Sequence, residues 1–344
     1  MSYIARTIWL PGREGKHVDT EGSGYLEMKG VRYQPDGPEV LRYEEVPDPD
    51  LADHEVLIQA EAISVEGGDL LHNRGSGLRV IGYQCAGTVL EVGAQVSRVQ
   101  VGDRVVSIGM DGAYAQLRAA AETRCWQIPA HLGTEEAACV PISFATADDS
   151  LVEFGRLRAG GVVLIHAGAG GVGFAAIQLA KRAGAHVLAT ASRDDKLDRL
   201  AALGVDHGIN YRTADFAAEV ERLTDGRGAD VVLDTVGGQV LQDSLRCLAY
   251  RGRCIVSGTS RQQPAPPIDV TGMQFKNQSL TGYFLGAELA ASDRLRARIA
   301  TLLSEVADGA LRVFIDRRYA LAEVTAAHAY AESRQPFGRV LLLP

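Results

Sequence analysis

Residues 160–192 read GGVVLIHAGAGGVGFAAIQLAKRAGAHVLATAS, and they carry the clearest structural pattern in the sequence. An apolar run is followed by a glycine-rich turn, by a helical segment that ends at Gly184, and by a second apolar run. Gly168 lets the chain turn, Gly170 lets the backbone approach a pyrophosphate, and Gly173 allows the helix to pack closely on the strand. The pattern predicts a helix N-terminus that binds the phosphates of a dinucleotide. A glycine-rich turn without a ligand is the alternative.

The alternation of strands and helices continues from residue 146 to residue 285. It predicts an α/β fold in which residues 146–285 form a doubly wound parallel sheet with helices on both faces. Residues 28–145 contain short strands and turns, which indicate a compact β domain. The last segment, GRVLLLP, predicts a strand that returns to the β domain, and residues 286–344 are assigned to that domain. Residues 1–27 are an N-terminal extension, in which Trp9 either docks beside the substrate cleft or lies on a surface away from it.

Charge and composition exclude several classes of function. The 344 residues include 35 Lys+Arg and 43 Asp+Glu, for a net charge of −8, and no basic run interrupts this balance. Nucleic acid and anionic membranes are therefore not expected as partners. The N-terminal stretch lacks the apolar core of a signal peptide, which favours a cytoplasmic protein. Five cysteines form no CxxC pair, so we expect them to be small buried residues rather than disulfides or zinc ligands.

The end of the second strand bears on the choice of cofactor. A carboxylate at this position usually accepts hydrogen bonds from the ribose of NAD. This chain has Ser192 and Arg193 there, with Lys196 one helical turn later. A hydroxyl and two cations suit a 2′-phosphate, so the pattern favours NADPH. The alternative interpretation is a solvated helix start, in which Asp194 and Asp195 act only as caps.

These segments resemble the medium-chain dehydrogenase/reductase superfamily, on its zinc-independent quinone oxidoreductase and enoyl reductase-like side. The resemblance covers about residues 28–344. It rests on GTVLEVGAQVSRVQVGDRVVSIG, GAYAQ, the stretch from AGAGGVG to HGINYR, GRGADVVLDTVGG and the terminal GRVLLLP. It implies a GroES-like β domain, a Rossmann domain, and a cleft between them for nicotinamide and a small-molecule substrate. It also implies a homodimer joined through SLTGYFL, the last strand of the nucleotide domain.

The resemblance further implies which residues surround the cofactor. They are expected at the glycine turn, at the adenosine phosphate end and around the ribose and nicotinamide. The set is Thr146, Gly168, Gly170, Gly171, Val172, Gly173, Ser192, Arg193, Lys196, Tyr211, Val236, Gly238, Ser257, Gly258, Thr259, Tyr283, Phe284 and Leu285.

The motif VIGYQCAG bears on whether the site holds a metal. Zinc-dependent relatives have Gly-His-Glu where this chain has Tyr83 and Gln84, and a cysteine ligand where it has Glu66. The third ligand position, near Pro141 and Ile142, is apolar. One carboxylate does not provide the three protein ligands of a catalytic zinc, so no metal is expected. Quinone reductases usually have asparagine in place of Glu66, so the substrate side departs from them as well.

Two residues are candidates for protonating or stabilising the product of hydride transfer. Tyr83 is the first, with aromatic packing as the alternative. Glu66 is the second, because a carboxyl group desolvated in a cleft gains a raised pKa and donates a proton; a surface glutamate paired to a cation is the alternative. Asp148 and Asp149 form a weaker candidate acid pair, since carboxylates at a helix N-terminus explain them. His72 is expected to be an exposed loop residue or a substrate contact.

The sequence thus predicts an NADPH-dependent oxidoreductase that transfers a hydride to an activated double bond, in an enone, an enoyl thioester or a quinone. The alternative is an NADP(H)-binding protein of the same fold without redox turnover, either a sensor or an enzyme of a non-redox cyclisation step.

Overall fold

The computed structural model describes residues 27–34, 40–71, 79–260 and 262–344, with Leu71 described by its backbone alone. The predictions for Trp9 and His72 lie outside the described residues. Within these ranges, no helix combines the length and the apolar character that crossing a bilayer requires.

The first part of the chain is built from short strands. The strands are β1 (Glu27–Tyr33), β2 (Leu41–Pro47), β3 (Glu55–Ser64), β4 (Gln84–Val92), β5 (Arg104–Ile108), β6 (Leu117–Ala121) and β7 (Cys125–Gln127). The helices are α1 (Gly67–Leu71), α2 (Thr134–Ala137) and α3 (Pro141–Asp148), and a π-helical turn (Asp149–Glu153) extends α3.

Strands and helices then alternate, as predicted. The strands are β8 (Val162–Ile165), β9 (His186–Ala191), β10 (His207–Asn210), β11 (Ala229–Asp234), β12 (Leu248–Val256) and β13 (Ser279–Gly282). The helices are α4 (Gly171–Arg182), α5 (Asp194–Ala201), α6 (Phe216–Leu223), α7 (Gln239–Arg246), α8 (Val270–Phe275), α9 (Leu285–Ala291) and α10 (Asp293–Ala307). The chain closes with β14 (Ile315–Ala320), α11 (Val324–Glu332) and β15 (Arg339–Leu343).

Six of these strands form one parallel sheet in the order β10-β9-β8-β11-β12-β13. All four residues of β8 are buried, as expected of a strand that helices cover on both faces. The order reverses between β8 and β11, and ligands of doubly wound sheets bind at the carboxyl end of such a reversal. The predicted Rossmann-type parallel sheet is confirmed.

A second sheet of seven strands has the order β14-β15-β3-β4-β5-β7, and β6 pairs with β3. The last strand, β15, lies antiparallel to β3 with Leu341 opposite Ser64, so GRVLLLP returns to the β domain. The predicted domain boundaries at 146 and 286 fall inside α3 and α9. The division at these residues stays a prediction.

Two ion pairs fasten α3 to α10, and they correct the interpretation of Asp148 and Asp149. Asp148 accepts two hydrogen bonds from Arg298, at 2.7 and 3.0 Å, and Asp149 accepts two from Arg294, at 2.8 and 3.0 Å. Both carboxylates lie at the C-terminal end of α3, so the explanation by a helix N-terminus was wrong. Each is neutralised by its own arginine, which leaves no acid pair for catalysis.

A chain of buried hydrogen bonds fixes α1 against the β domain and α11. The carboxylate of Asp69 accepts from the backbone N–H of Glu66 at 2.8 Å and from the Tyr114 hydroxyl at 3.1 Å. Nε2 of His328 lies 3.1 Å from that hydroxyl. Since Tyr114 donates to Asp69, His328 donates to Tyr114 through Nε2. Burial lowers the pKa of His328 to about 4, so its ring is neutral near pH 7.

The titration of Asp69 makes stability depend on pH. Burial, with the charge of Glu66 adding to it, raises the pKa of Asp69 from 3.8 to about 7 in the folded chain, against the opposing effects of its hydrogen bonds and of Arg339. The folded state therefore binds the proton more tightly than the unfolded state, and this stabilisation is lost as the pH rises through about 7. Urea unfolding of Asp69→Asn, compared with wild type, should show the variant gaining relative stability between about pH 5 and about pH 8.

Asp308→Asn, which removes an exposed carboxylate after α10, is the control for loss of a surface charge. A stability difference between wild type and Asp69→Asn that stays constant across this pH range would contradict the assignment.

Candidate cofactor and substrate site

The predicted cofactor residues meet at one edge of the parallel sheet. The glycine turn follows β8, and Ser192 follows β9. Tyr211 follows β10 by one residue, and its N–H donates to Ala191 at 3.2 Å. The remaining residues follow the ends of β11, β12 and β13; they are Val236, Gly238, Ser257, Gly258, Thr259, Tyr283, Phe284 and Leu285. Because the strands are parallel, their carboxyl ends lie together, so one crevice collects these residues.

The glycine turn has the geometry that the sequence predicts. A Cβ on Gly173 would collide with the carbonyl oxygen of Ala167, and one on Gly168 would lie 3.0 Å from Cδ1 of Leu200. Ala167 itself has φ +51°, which is uncommon for a residue with a side chain and marks a constrained turn. The 12-residue helix α4 begins directly after Gly170. Its first N–H groups, with Gly171 and Val172, therefore point at the turn, where they suit phosphate oxygens.

Two buried hydroxyls show that this crevice suits a polar ligand. Oγ of Ser143, on α3, and Oγ of Ser257, after β12, are buried and have no hydrogen-bond partner among the described residues. Ser143 lies beside the N-terminus of α4, since a Cβ on Gly171 would approach its Oγ to 2.7 Å. Buried polar groups normally find a partner. A dinucleotide, with its phosphate, ribose and amide groups, fits the residues present.

The residues at the end of β9 are arranged differently from the prediction. Ser192 is buried, whereas the Arg193 guanidinium is half exposed and holds Asp195 through two bonds of 2.8 Å. Nζ of Lys196 donates to the carbonyls of Arg334 and Pro336, at 2.9 and 2.6 Å. Burial also lowers the pKa of Lys196. Lys196 therefore anchors the segment before β15, and Arg193 is left as the cation of this strand end that faces solvent.

The nicotinamide end contains both buried and exposed residues. Thr146 is buried on α3, and Leu285 is buried where α9 begins. The hydroxyl of Tyr283 donates to Asp149 at 3.1 Å, so it serves the junction of α3 with α9 and α10. Phe284 is 59% exposed, so its ring is not part of the core.

A buried ion pair connects the β domain with the cofactor helix. Arg339, on β15, donates to the carboxylate of Glu66 and, at 3.1 Å, to the carbonyl of Val65. Gln84 donates to Glu66 at 2.7 Å and to the carbonyl of Ala138 at 2.7 Å. Burial raises the pKa of Glu66, and Arg339 opposes that rise. Because arginine keeps its proton, the buried guanidinium requires an ionised Glu66 beside it.

Arg339 is the functional residue that sequence reasoning missed. A Cβ on Gly171 would collide with its guanidinium, so the side chain reaches the first turn of α4. The only available signal was a single cation inside the apolar strand RVLLL, which is 8% exposed in the structure. A charge is buried at such a position only when it has a partner.

Tyr83 contacts α1 close to this ion pair, because its ring occupies the Cβ position of Gly68, two residues after Glu66. Its side chain is half-buried, and no described residue forms a hydrogen bond with its hydroxyl. Burial, with the charge of Asp69 adding to it, raises the pKa of Tyr83 to about 12. The phenol is therefore protonated at neutral pH and can donate a hydrogen bond to a ligand.

Among the described residues, no group of three or more His, Cys, Asp or Glu side chains is placed to hold a metal ion. The five cysteines are free and buried, as predicted from the sequence. What the site offers is a turn for phosphates, unpartnered buried hydroxyls and a protonated phenol, an arrangement suited to binding a dinucleotide beside a small organic substrate.

Comparisons with known proteins agree with this geometry. Residues 52–141 match the alcohol dehydrogenase GroES-like domain, and residues 171–306 match the zinc-binding dehydrogenase family. A quinone oxidoreductase of Pseudomonas aeruginosa is 34% identical over 90% of this chain and 97% of its own. A 2-haloacrylate reductase of Burkholderia is 31% identical over 93% of this chain and 99% of its own.

Among solved structures, a mycobacterial protein in complex with NADPH superposes with a TM-score of 0.86 at 33% identity, covering 93% of this chain and 100% of that one. The fold, the glycine turn and this similarity over nearly the whole length have one explanation. The chain belongs to the medium-chain dehydrogenase/reductase superfamily, in its quinone oxidoreductase-like branch, and is an oxidoreductase.

Proposed function

We propose that the protein is an NADPH-dependent reductase of activated double bonds, acting on an enone, an enoyl thioester or a quinone. The observation that carries the proposal is the N-terminus of α4 with the unpartnered buried hydroxyl of Ser143 beside it. Relatives named as a quinone oxidoreductase and a 2-haloacrylate reductase act on electron-poor double bonds of this kind, which supports the substrate class.

The preference for NADPH rests on Arg193. Its guanidinium is half exposed and bound only to the exposed Asp195, an ion pair that solvent weakens. A 2′-phosphate offers more charge and more acceptor oxygens than that carboxylate. In this proposal the phosphate pocket is completed by Ser192, which follows Ala191, and by Tyr211, whose N–H donates to the Ala191 carbonyl. The similarity to a protein solved with NADPH supports the same choice.

The chemistry that a nicotinamide cofactor would supply, when bound at the glycine turn, is a hydride for the electron-poor carbon of the substrate. As the C–H bond forms, the π electrons of the double bond move to the carbonyl oxygen of the substrate, which becomes an enolate oxygen. Tyr83 donates a hydrogen bond to this oxygen, and a proton from water completes the product. Glu66 takes no part in the proton transfer, because its carboxylate neutralises Arg339. In this proposal no metal polarises the carbonyl, since Tyr83 provides the donor.

Steady-state kinetics test the function and the cofactor together. NADPH should be consumed in the presence of an enone or a quinone, with kcat/KM at least about tenfold higher than with NADH, which corresponds to about 1.4 kcal/mol. Arg193→Ala should remove most of this difference by raising the KM for NADPH. Arg222→Ala, which changes an exposed arginine of α6 paired with Glu219, is the control.

Chelators should leave this activity intact. Failure to oxidise NADPH with any compound of an enone, enoyl thioester and quinone panel would defeat the proposed function. Equal efficiencies with NADPH and NADH would defeat the cofactor assignment alone.

We also propose a homodimer formed through β13. This strand pairs with β12, and no strand of the described residues pairs with its other edge. On α8, which precedes it, Phe275 is 82% exposed and Val270 is 70% exposed. An open strand edge beside large exposed apolar side chains favours pairing across a twofold axis.

Light scattering should give the mass of two chains at micromolar concentration, and Phe275→Glu should shift the mass towards one chain. A single-chain mass for the unmodified protein would refute the dimer.

A further inference from the structure

Helix α1 begins with two glycines, and the ring of Tyr83 occupies the place of a side chain at the second. A Cβ on Gly68 would collide with Cε2 of Tyr83 and lie 3.1 Å from both Cδ2 and Cζ. At Gly67, which is exposed, no described atom lies within 4 Å of the Cβ position. The Tyr83 ring therefore takes the place that a side chain of α1 would otherwise fill at Gly68, and among the described residues nothing fills the corresponding place at Gly67.

The contact fixes how the ring is turned. Cε2 is the nearest atom to the Gly68 Cβ position, and its two ring neighbours are equally distant and clearly farther away. This pattern arises when the edge of a ring points at the contact, because a ring face would bring the neighbours almost as close. Both faces of Tyr83 therefore point away from Gly68. No described aromatic side chain stacks on them.

Hydrogen bonds fix the backbone of Tyr83, and this restricts the position of its ring. Its carbonyl accepts from the N–H of Gly109 at 2.7 Å and from the guanidinium of Arg118 at 3.2 Å. Arg118 is 3% exposed and also donates to the carbonyl of Asp111 at 2.9 Å. On the other side, Gly82 has φ +101°, and a Cβ there would collide with the Tyr114 ring.

The ring also lies close to the buried ion pair of Glu66 and Arg339, because it contacts Gly68, two residues after Glu66. Tyr83 is followed directly by Gln84, which binds Glu66, and Glu66 is paired with Arg339 at the first turn of α4. A short series of contacts thus links the ring to the cofactor helix.

We propose that Tyr83 is a specificity-determining residue whose ring face receives a planar, conjugated substituent of the substrate. The inference rests on the proposed function and names its substrate class as aryl-substituted activated alkenes. Stacking of a substrate ring on Tyr83 favours such compounds over alkyl enones of the same length, because an alkyl chain gains no offset-stacked contact.

Substrate competition between benzylideneacetone and a linear alkyl enone of matched length tests this inference. In wild type, kcat/KM for the aryl compound should be higher. Tyr83→Leu, which keeps an apolar side chain but loses the planar face, should lower the aryl-to-alkyl ratio by at least about fivefold. Tyr83→Phe keeps the ring and should keep the ratio, whatever the loss of the hydroxyl does to kcat. An unchanged ratio in a folded Tyr83→Leu, or an equal fall in Tyr83→Phe, would overturn the inference.

Calorimetric binding of benzylideneacetone in the presence of NADP⁺ keeps the inference testable without turnover. Wild type should bind it at least about fivefold more tightly than Tyr83→Leu, and equal affinities would overturn the proposal. A wild type that binds the aryl compound in this way but consumes no NADPH would defeat the proposed function alone. If wild type is active but Tyr83→Leu leaves the aryl-to-alkyl ratio of kcat/KM unchanged, only the proposed role of Tyr83 is refuted.

Urea unfolding tests the contact itself. Gly68→Ala should reduce stability in wild type, since the new methyl group collides with the Tyr83 ring. In a Tyr83→Ala background, where the ring is absent, Gly68→Ala should lower the free energy of unfolding by clearly less. Equal costs in both backgrounds would show that Tyr83 does not occupy the place beside Gly68.

Discussion

The buried ion pair of Glu66 and Arg339 is the interaction on which the geometry of the site depends. The arginine lies on the last strand of the chain, the glutamate follows β3, and the guanidinium reaches the first turn of α4. Desolvating two charges is costly, and the cost is recovered only when each charge has its partner and its hydrogen bonds. Ser64, the Val65 carbonyl and Gln84 supply those bonds. The pair therefore fixes the loop before α1 relative to the cofactor helix.

This pair also determines which residues remain for chemistry. The sequence resemblance aligns Glu66 with a ligand position of zinc-dependent relatives, but in the structure its carboxylate is engaged with Arg339. Gln84 is equally occupied, since it spans from Glu66 to the Ala138 carbonyl and accepts from the N–H of Ile142 at 3.2 Å. Tyr83 is half-buried beside α1, and its hydroxyl has no hydrogen-bond partner among the described residues. Glu66 and Gln84 are therefore structural residues of the site, and the Tyr83 hydroxyl is the group that remains available to a ligand.

The sequence predicted what depends on neighbours along the chain. The glycine turn, α4 and the parallel strands follow from local periodicity and from the backbone demands of Gly168 and Gly173. It failed where the partner is distant. Arg339 lies 273 positions from Glu66, and Lys196 lies 138 from the Arg334 carbonyl that it binds. The interpretation of Asp148 and Asp149 as helix N-terminal carboxylates was wrong, because their arginines come from α10. A local sequence pattern does not show a counter-charge that lies on a distant helix.

The most direct test of this account is a double-mutant cycle on Glu66 and Arg339, measured as the free energy of unfolding in urea. Glu66→Gln alone should cost about 3–5 kcal/mol, because it leaves Arg339 buried without a counter-charge. Arg339→Met alone should cost a similar amount for the converse reason. The double variant should be clearly more stable than the sum of the two losses predicts, since no buried charge remains unpaired. Additive losses, or single variants as stable as wild type, would contradict the claim that this ion pair holds the site together.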